Sequence, residues 1–273
     1  MRASAHLAVA QTANSRHSKI TRLHSEPPLV LLPTNRARHE PMQRWHSCGT
    51  APAQISLVAG AAGPIGGDHL SMSITVESGA ALVLRNVAAT LVLPGPHGRP
   101  SRTEISVRVA AHGVLVWLPG PVIAARNCRH VSIADVTLEP GARLFLREEL
   151  LLGRYGEQPG AIRQRLRVRL DDQPLLDQEL AIGPDAPGWD GPAVIGGRCA
   201  LGSVLIVDPD WGHSALDLAN SIGDADTALI PLSGPAILVT ALARDGLALR
   251  HQLDAAIAAV EASLAQDQPE NYR

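Results

Sequence analysis

Between Ser71 and Ser78 the side chains alternate: Met72, Ile74 and Val76 are apolar, and Ser73, Thr75 and Glu77 are polar. Arg102–Val109 repeats the pattern, with Ile105, Val107 and Val109 set against Glu104, Ser106 and Arg108. Successive side chains of an extended chain point to opposite faces, so period two predicts strands buried on one face. Leu82–Leu84 and Val114–Leu118 are continuous apolar runs, the pattern of strands buried on both faces. Between Val131 and Leu138 the apolar phase slips, from Val131 and Ile133 to Val136 and Leu138. One extra residue near Ala134–Asp135 would account for the slip, so a β-bulge is expected there. Pro27–Pro33 (PPLVLLP) is a short apolar run between prolines, which suits an edge strand.

Residues 162–182 form the clearest hairpin. Ile162, Leu166, Val168 and Leu170 share one face, and Arg163, Arg165, Arg167 and Arg169 share the other. Asp171–Pro174 supply turn residues. A register with Arg169 opposite Asp177 and Arg167 opposite Glu179 would match the charges across the strands. That is an ordinary solvated face; a functional basic patch is the sharper alternative. Three turns also resemble one another: Glu77-Ser-Gly79-Ala, Ala111-His-Gly113-Val and Glu139-Pro-Gly141-Ala each open a strand, and each glycine can take the positive φ of a tight turn. Similar units in series suggest strands layered one after another, as in a meander or an irregular solenoid.

Helical periodicity is confined to the C-terminal third. Asp245 can cap a helix over about 245–266, in which Leu249, Leu253, Ile257, Val260 and Leu264 recur at three- and four-residue spacing. A second, shorter helix is expected near Ser214–Ile222. Residues 1–26 show no period and are expected to be a mobile extension, followed by a single β-rich domain over 27–273. The fold class is therefore mainly β, with layered antiparallel and mixed strands in a solenoid-like stack and one or two helices near the end.

The chain has 273 residues, of which 45% are hydrophobic and only 3% aromatic. Its core must be aliphatic, and it lacks the aromatic platforms that bind single-stranded nucleic acid. A net charge of −2 gives no overall attraction to nucleic acid. Three dispersed cysteines, Cys48, Cys128 and Cys199, form no disulfide framework and point to a reducing cytosol, hence a cytoplasmic protein. The apolar stretch Thr227–Ala243 is short for a membrane span and contains Pro231 and Pro235, so no membrane association is expected. The arginine- and serine-bearing N-terminus could mimic a transit peptide, but a disordered tail explains it as well.

Strong catalytic signatures are absent: no G-x-S-x-G elbow, no phosphate loop and no G-x-G-x-x-G turn follows a strand. The one lysine, Lys19, precedes the patterned region. No two histidines stand three or four residues apart. His6, His17, His24, His39 and His46 cluster in the first fifty residues, but their dispersal in sequence favours ordinary surface roles over a metal-storing tail. Two segments stand out. Gly63-Pro-Ile-Gly66-Gly67-Asp68-His69 precedes a strand, and on spacing alone reads as a loop in which Asp68 caps backbone amides. Leu152-Gly153-Arg154-Tyr-Gly156-Glu157 reads as a turn with an exposed acid.

Taken in order, these segments resemble the UreD (UreH) family of urease accessory proteins. The likeness rests on Pro28–Pro33, on GPIGGD at 63–68, on the turn at Gly79-Ala80, and on Val116-Trp117-Leu-Pro119-Gly-Pro-Val-Ile123. It continues through Glu139–Arg143 and Leu152–Glu157, covering about Ser18 to Leu242. Arg85–Thr90 and Leu115-Val-Trp117 depart from the family pattern, each lacking polar residues usual there. The resemblance implies a non-enzymatic scaffold that joins UreF-type and UreG-type partners to apo-urease. It implies that Ni²⁺ is handled in transit, with no tightly bound cofactor, along a water-filled internal tunnel. Asp68 and Glu157 match positions expected to face that route, with His69 a further candidate. Gly66, Gly67, Gly79, Trp117, Pro119, Gly153, Arg154 and Gly156 are expected to shape the motifs. A delivery path needs weak ligands, because closely set thiolates and imidazoles would hold Ni²⁺ rather than release it. The alternatives are an interaction module unrelated to nickel, or a carbohydrate-active β-solenoid enzyme.

Overall fold

The computed structural model describes residues 1–12, 16–35, 40–47, 50–211 and 226–266. The helix expected near Ser214–Ile222 lies outside these residues. The strands are β1 (Arg2–Gln11), β2 (Ser18–Ser25), β3 (Leu29–Pro33), β4 (Ala53–Ala59), β5 (His69–Val76), β6 (Ala81–Asn86), β7 (Thr90–Val92), β8 (Ser101–Val109) and β9 (Val114–Leu118). They continue as β10 (Val122–Ala124), β11 (Arg129–Leu138), β12 (Arg143–Leu151), β13 (Ala161–Leu170), β14 (Gln173–Ile182), β15 (Ala200–Val207), β16 (Thr227–Pro231) and β17 (Ala236–Ala243). A single helical turn, α1 (Arg44–Ser47), precedes β4, and the long helix α2 (Gly246–Gln266) follows β17.

The strands form two facing sheets, one of seven strands and one of ten. The chain winds between them. β4, β6, β9 and β12 pair in parallel in the larger sheet, and β5, β8, β11 and β13 in the smaller. Each passage through both sheets is one coil of a solenoid. At one corner the coils turn tightly, through the three similar segments seen in the sequence, and these stack: the Gly79 amide donates to Ala111 O, and the His112 amide to Pro140 O. Gly79 and Gly141 take the expected positive φ, but in the middle turn His112 takes it (φ 58°) in place of Gly113. At the opposite corner the connections are longer, and β7, β10 and the end of β12 add a short third face.

Antiparallel hairpins close the stack at both ends. β3 is the expected edge strand, paired with β4. β1 lies parallel to β5 and carries β2 antiparallel along the sheet edge. The mobile extension expected over residues 1–26 is therefore corrected: Ala3, Ala5, Leu7 and Val9 alternate inward and are buried. The alternation is muted in sequence because Ala8 and Ala10 occupy the other face of the same strand. At the far end β13 and β14 form the hairpin around a two-residue turn, Asp171 and Asp172, both at positive φ. This turn is shorter than Asp171–Pro174, so the register differs from the expected one. Arg167 stands opposite Asp177 and Arg165 opposite Glu179, with an irregularity at Val168/Arg169. The charges still pair: Arg165 with Asp177, Arg163 with Glu179 and Arg167 with Asp135.

The main core lies between the sheets and is aliphatic, with Leu7, Ile55, Ile74, Leu82, Leu84, Leu115, Leu138, Leu144 and Leu146 almost wholly buried and Trp117 among them. A second core covers the outer face of the larger sheet, where α2 lays Leu249, Leu253, Ile257 and Val260 over β15 and β17. Asp245 caps that helix by accepting the Ala248 amide at 2.8 Å. At the opposite end of β15 and β17 from that cap, Asp208 is 2% exposed and accepts from the Arg44 guanidinium (2.8 Å), the Trp45 indole N–H (2.8 Å), the Arg143 Nε (3.2 Å) and the Asp210 amide (3.1 Å). This one carboxylate ties the α1 segment to β12 and β15.

Removing the buried acid of an ion cluster leaves its buried donors without that partner. Asp208→Ala is expected to lower unfolding free energy by about 3 kcal/mol. Asp177→Ala, which breaks an exposed pair, should lower it by less than about 1 kcal/mol. Urea denaturation of the two variants checks both.

Candidate functional site

The bulge expected near Ala134–Asp135 is absent: β11 pairs with β8 and β13 without interruption. The slip in its pattern has another cause. The inward residues of β11 are His130, Ser132, Ala134, Val136 and Leu138, a regular series whose first two members are polar. Val131 and Ile133 lie half-buried on the outer face. The same happens in neighbouring coils. In register with Ser132 stand Thr103 of β8 and Gln164 of β13, also on inward positions. Facing them across the interior is Glu148 of β12, in phase with buried Leu144 and Leu146.

These polar groups line an interior space. One cavity of about 290 Å³ runs between the sheets on the side of the wide corner, from Pro28, Leu57 and Pro64 past Thr103, Trp117 and Ser132 to Glu148 and Gln164. A second, of about 530 Å³, begins at Glu148 and Gln164 and continues between β14 and β15–β17 toward Asp226. Glu148 and Gln164 sit where the two adjoin, and the Gln164 amide donates to Glu148 Oε1 at 2.6 Å. Both spaces are large enough to hold several waters.

Glu148 differs from the other carboxylates on these walls. Asp226 is clasped by the Arg198 guanidinium, and Glu149 turns to the outer face, where it meets Arg147 and Arg250. Among the described residues Glu148 has no salt bridge. It faces the interior space half-buried, and burial pushes its pKa up to about 7 against the opposing Gln164 bond. His130, also on the cavity wall, is pushed down to about 4 by burial and is neutral; its Nδ1 lies 2.9 Å from Ser101 Oγ. The interior therefore offers one carboxyl poised to gain or lose a proton, beside neutral oxygen and nitrogen donors. Among the described residues no three His, Cys, Asp or Glu side chains converge to hold a metal ion.

The structure brings none of Asp68, Glu157 and His69 together, and none lines the interior space. Asp68 is buried at the wide corner, where it accepts from the Met1 amino group and the Ile65 amide, both at 2.9 Å. Glu157 is held by the Arg154 amide and guanidinium, and the guanidinium above all drops its pKa to about 2. His69 Nε2 is 3.1 Å from Glu104 on the outer face of the smaller sheet. Both glycine motifs are corner pieces. A Cβ at Gly66 would lie 2.5 Å from the Gly95 amide, and one at Gly153 2.3 Å from Glu157 O, so neither loop could close with a side chain there. Gly67 and Gly156 take positive φ in these two loops, and the exposed ring of Tyr155 projects from the second. Trp117 and Pro119 do line the cavity.

Sequence reasoning missed Glu148, Gln164, Ser132 and Thr103. The signal was present: a carboxylate in the apolar phase Leu144, Leu146, Leu150, and an amide in the phase Ile162, Leu166, Val168.

Comparison with known proteins gives a consistent answer. The family model described as UreD urease accessory protein matches residues 1–273. A urease accessory protein UreD of Streptomyces avermitilis is 44% identical over 220 residues, covering 80% of this chain and 86% of its own length. One from Frankia casuarinae is 40% identical over 264 residues, covering 87% and 83%. A third, UreD 1 of Saccharopolyspora erythraea, is 33% identical over 257 residues and 94% of both chains. No helix among the described residues is long and apolar enough to cross a membrane.

The raised pKa of Glu148 has a consequence for stability. The folded state binds its proton more tightly than the unfolded chain, so this contribution is complete below the unfolded value near 4.5 and is lost as pH rises through about 7. Glu148→Gln is expected to stabilise the protein relative to wild type at pH 8, by about 1 kcal/mol, and to leave it unchanged or weaker at pH 5. Thermal denaturation at the two pH values checks the sign.

Proposed function

This chain belongs to the UreD family of urease accessory proteins, and from that premise we propose that it is a non-catalytic scaffold for urease maturation whose interior carries Ni²⁺ toward the apo-enzyme. The observation that carries the reading is the sparse polar column between the sheets: Thr103, Ser132 and Gln164 in register, with Glu148 opposite them where two cavities adjoin. A cargo ion needs contacts strong enough to replace part of its hydration and weak enough to release it. Hydroxyl and amide oxygens meet that need, and thiolate clusters do not. Glu148 adds one carboxylate midway. Arrival of a dication there displaces its proton, and return of the proton favours release.

On this reading the motif residues Asp68 and Glu157 act as supports. Each is committed to neighbouring backbone or guanidinium groups that shape the wide corner. UreF-type and UreG-type proteins are the partners that the family resemblance suggests, with Ni²⁺ as cargo, and the cytoplasm is the compartment in which such a complex would work.

The test is urease activation in cells that express the urease genes with this protein or a variant. Glu148→Ala and the space-filling Ser132→Leu are expected to leave co-purification with urease intact and to lower the nickel content of urease roughly tenfold. Asp68→Asn should instead reduce the amount of folded protein, and nickel per recovered complex should stay constant. Full nickel loading of urease by both interior variants would remove the interior route.

A further inference from the structure

The connection from β14 to β15 runs beside the interior space without joining either sheet. Among the described residues, the backbone of residues 184–198 is hydrogen-bonded only within the segment and to Gly183. The Ala186 amide donates to Gly183 O, the Val194 and Gly196 amides to Gly191 O, and the Arg198 amide to Ile195 O. The sheet resumes at Cys199, whose amide donates to Ala243 O and whose carbonyl accepts the Leu152 amide. Gly183 at one end of the segment (φ 92°) and Gly196 and Gly197 at the other (57° and 79°) hold backbone conformations that a side chain would resist.

Side chains tie the segment down. Ile195 is 3% exposed and enters the space between the sheets, in a cluster with Ile162 and Ile182 of the smaller sheet, Leu150 of the larger and Cys128. It lines the larger cavity together with Glu148 and Gln164. Trp189 packs on the same cluster, and Asp185 pairs with Arg129 in water. Arg198 reaches across to Asp226 at the start of β16. Its Nη2 donates to the two carboxylate oxygens at 2.6 and 2.9 Å, and its Nε to one of them at 3.3 Å. Asp226 is fixed to the larger sheet in turn, because its carbonyl accepts the Leu242 amide at 2.8 Å. The two side chains of this pair are 38% and 28% exposed, so dissolved salt screens it.

We propose that residues 184–198 form a lid on the interior space, hinged at these glycines, with Ile195 as its plug and the Arg198–Asp226 pair as its latch. A segment bonded mainly to itself opens locally while the rest of the fold stays intact. Closed, the lid seals the side of the interior next to Glu148 and Gln164. Open, it withdraws Ile195 and uncovers that side to solvent. Its role in admitting or releasing cargo rests on the interior route proposed above, whereas the motion itself does not.

The experiment reads the motion through Cys128, a thiol 1% exposed in the cluster that Ile195 completes. Burial pushes its pKa up to about 11, so it is unreactive while covered. The full chain carrying Cys48→Ser and Cys199→Ser is treated with a neutral aromatic disulfide at low and at high NaCl. Cys128 is expected to react about threefold faster in Arg198→Met and in Asp226→Asn than in the parent at low salt. High salt should bring the parent close to the rate of the variants and change the variants little. Hydrogen exchange read by mass spectrometry should show residues 184–198 exchanging faster in Arg198→Met, with β11 and β15 unchanged, which separates lid opening from unfolding of the whole chain. Equal Cys128 reactivity in the parent and both variants would overturn the lid, as would acceleration of exchange shared equally by β15. No nickel is present in these measurements, so their outcome is separate from that of the interior route.

Discussion

Parallel pairing in exact succession is the constraint from which the rest of this structure follows. β5, β8, β11 and β13 share one register, as do β4, β6, β9 and β12 in the facing sheet. Each inward side chain therefore sits against the equivalent side chain of the next coil. A leucine near the tight corner is stacked on valines and leucines and stays dry. A polar residue near the wide corner needs a polar neighbour in the next coil, or it is buried without a partner. Thr103, Ser132 and Gln164 stand side by side in register, and the interior space runs along them.

Charge is distributed by the same geometry. The outward rows of β11, β13 and β14 carry arginines and acids that pair across strands, as in Arg165 with Asp177 and Arg167 with Asp135, so that part of the smaller sheet's outer face is a solvated lattice of weak pairs. The interior holds Glu148 on its polar column without a cationic partner. Low dielectric surroundings without a counter-charge favour the neutral form, and the result is a carboxyl whose protonation is balanced near neutrality. Asp208 is by contrast buried and saturated by four donors. It serves cohesion, whereas Glu148 remains available.

An open solenoid exposes an unpaired strand at each end, which invites association. Here the ends are closed from within the chain. β3 and β2 fold back antiparallel at one end, β14 and the β15–β17 group at the other, and α2 covers the outer face of the larger sheet. The first strands are thus part of the architecture.

The alternation of side chains by itself determined that this chain is built of strands, where most of them run, that similar turns repeat between coils, and that one amphipathic helix ends the fold with Asp245 as its cap. Those features are local, written in periods of two and 3.6 residues and in the needs of single turns. Strand register is a different kind of fact. It depends on turn length and on partners far away in sequence. A two-residue turn at Asp171–Asp172 moved the hairpin pairing, and a run of alanines hid β1 until its neighbour β5 was known. Polar residues in an apolar phase looked like a bulge in β11 and drew no notice in β12 and β13. Only the stacked coils reveal that Ser132, Gln164 and Glu148 face one another, because proximity across a sheet is a property of the pairing and no single strand carries it.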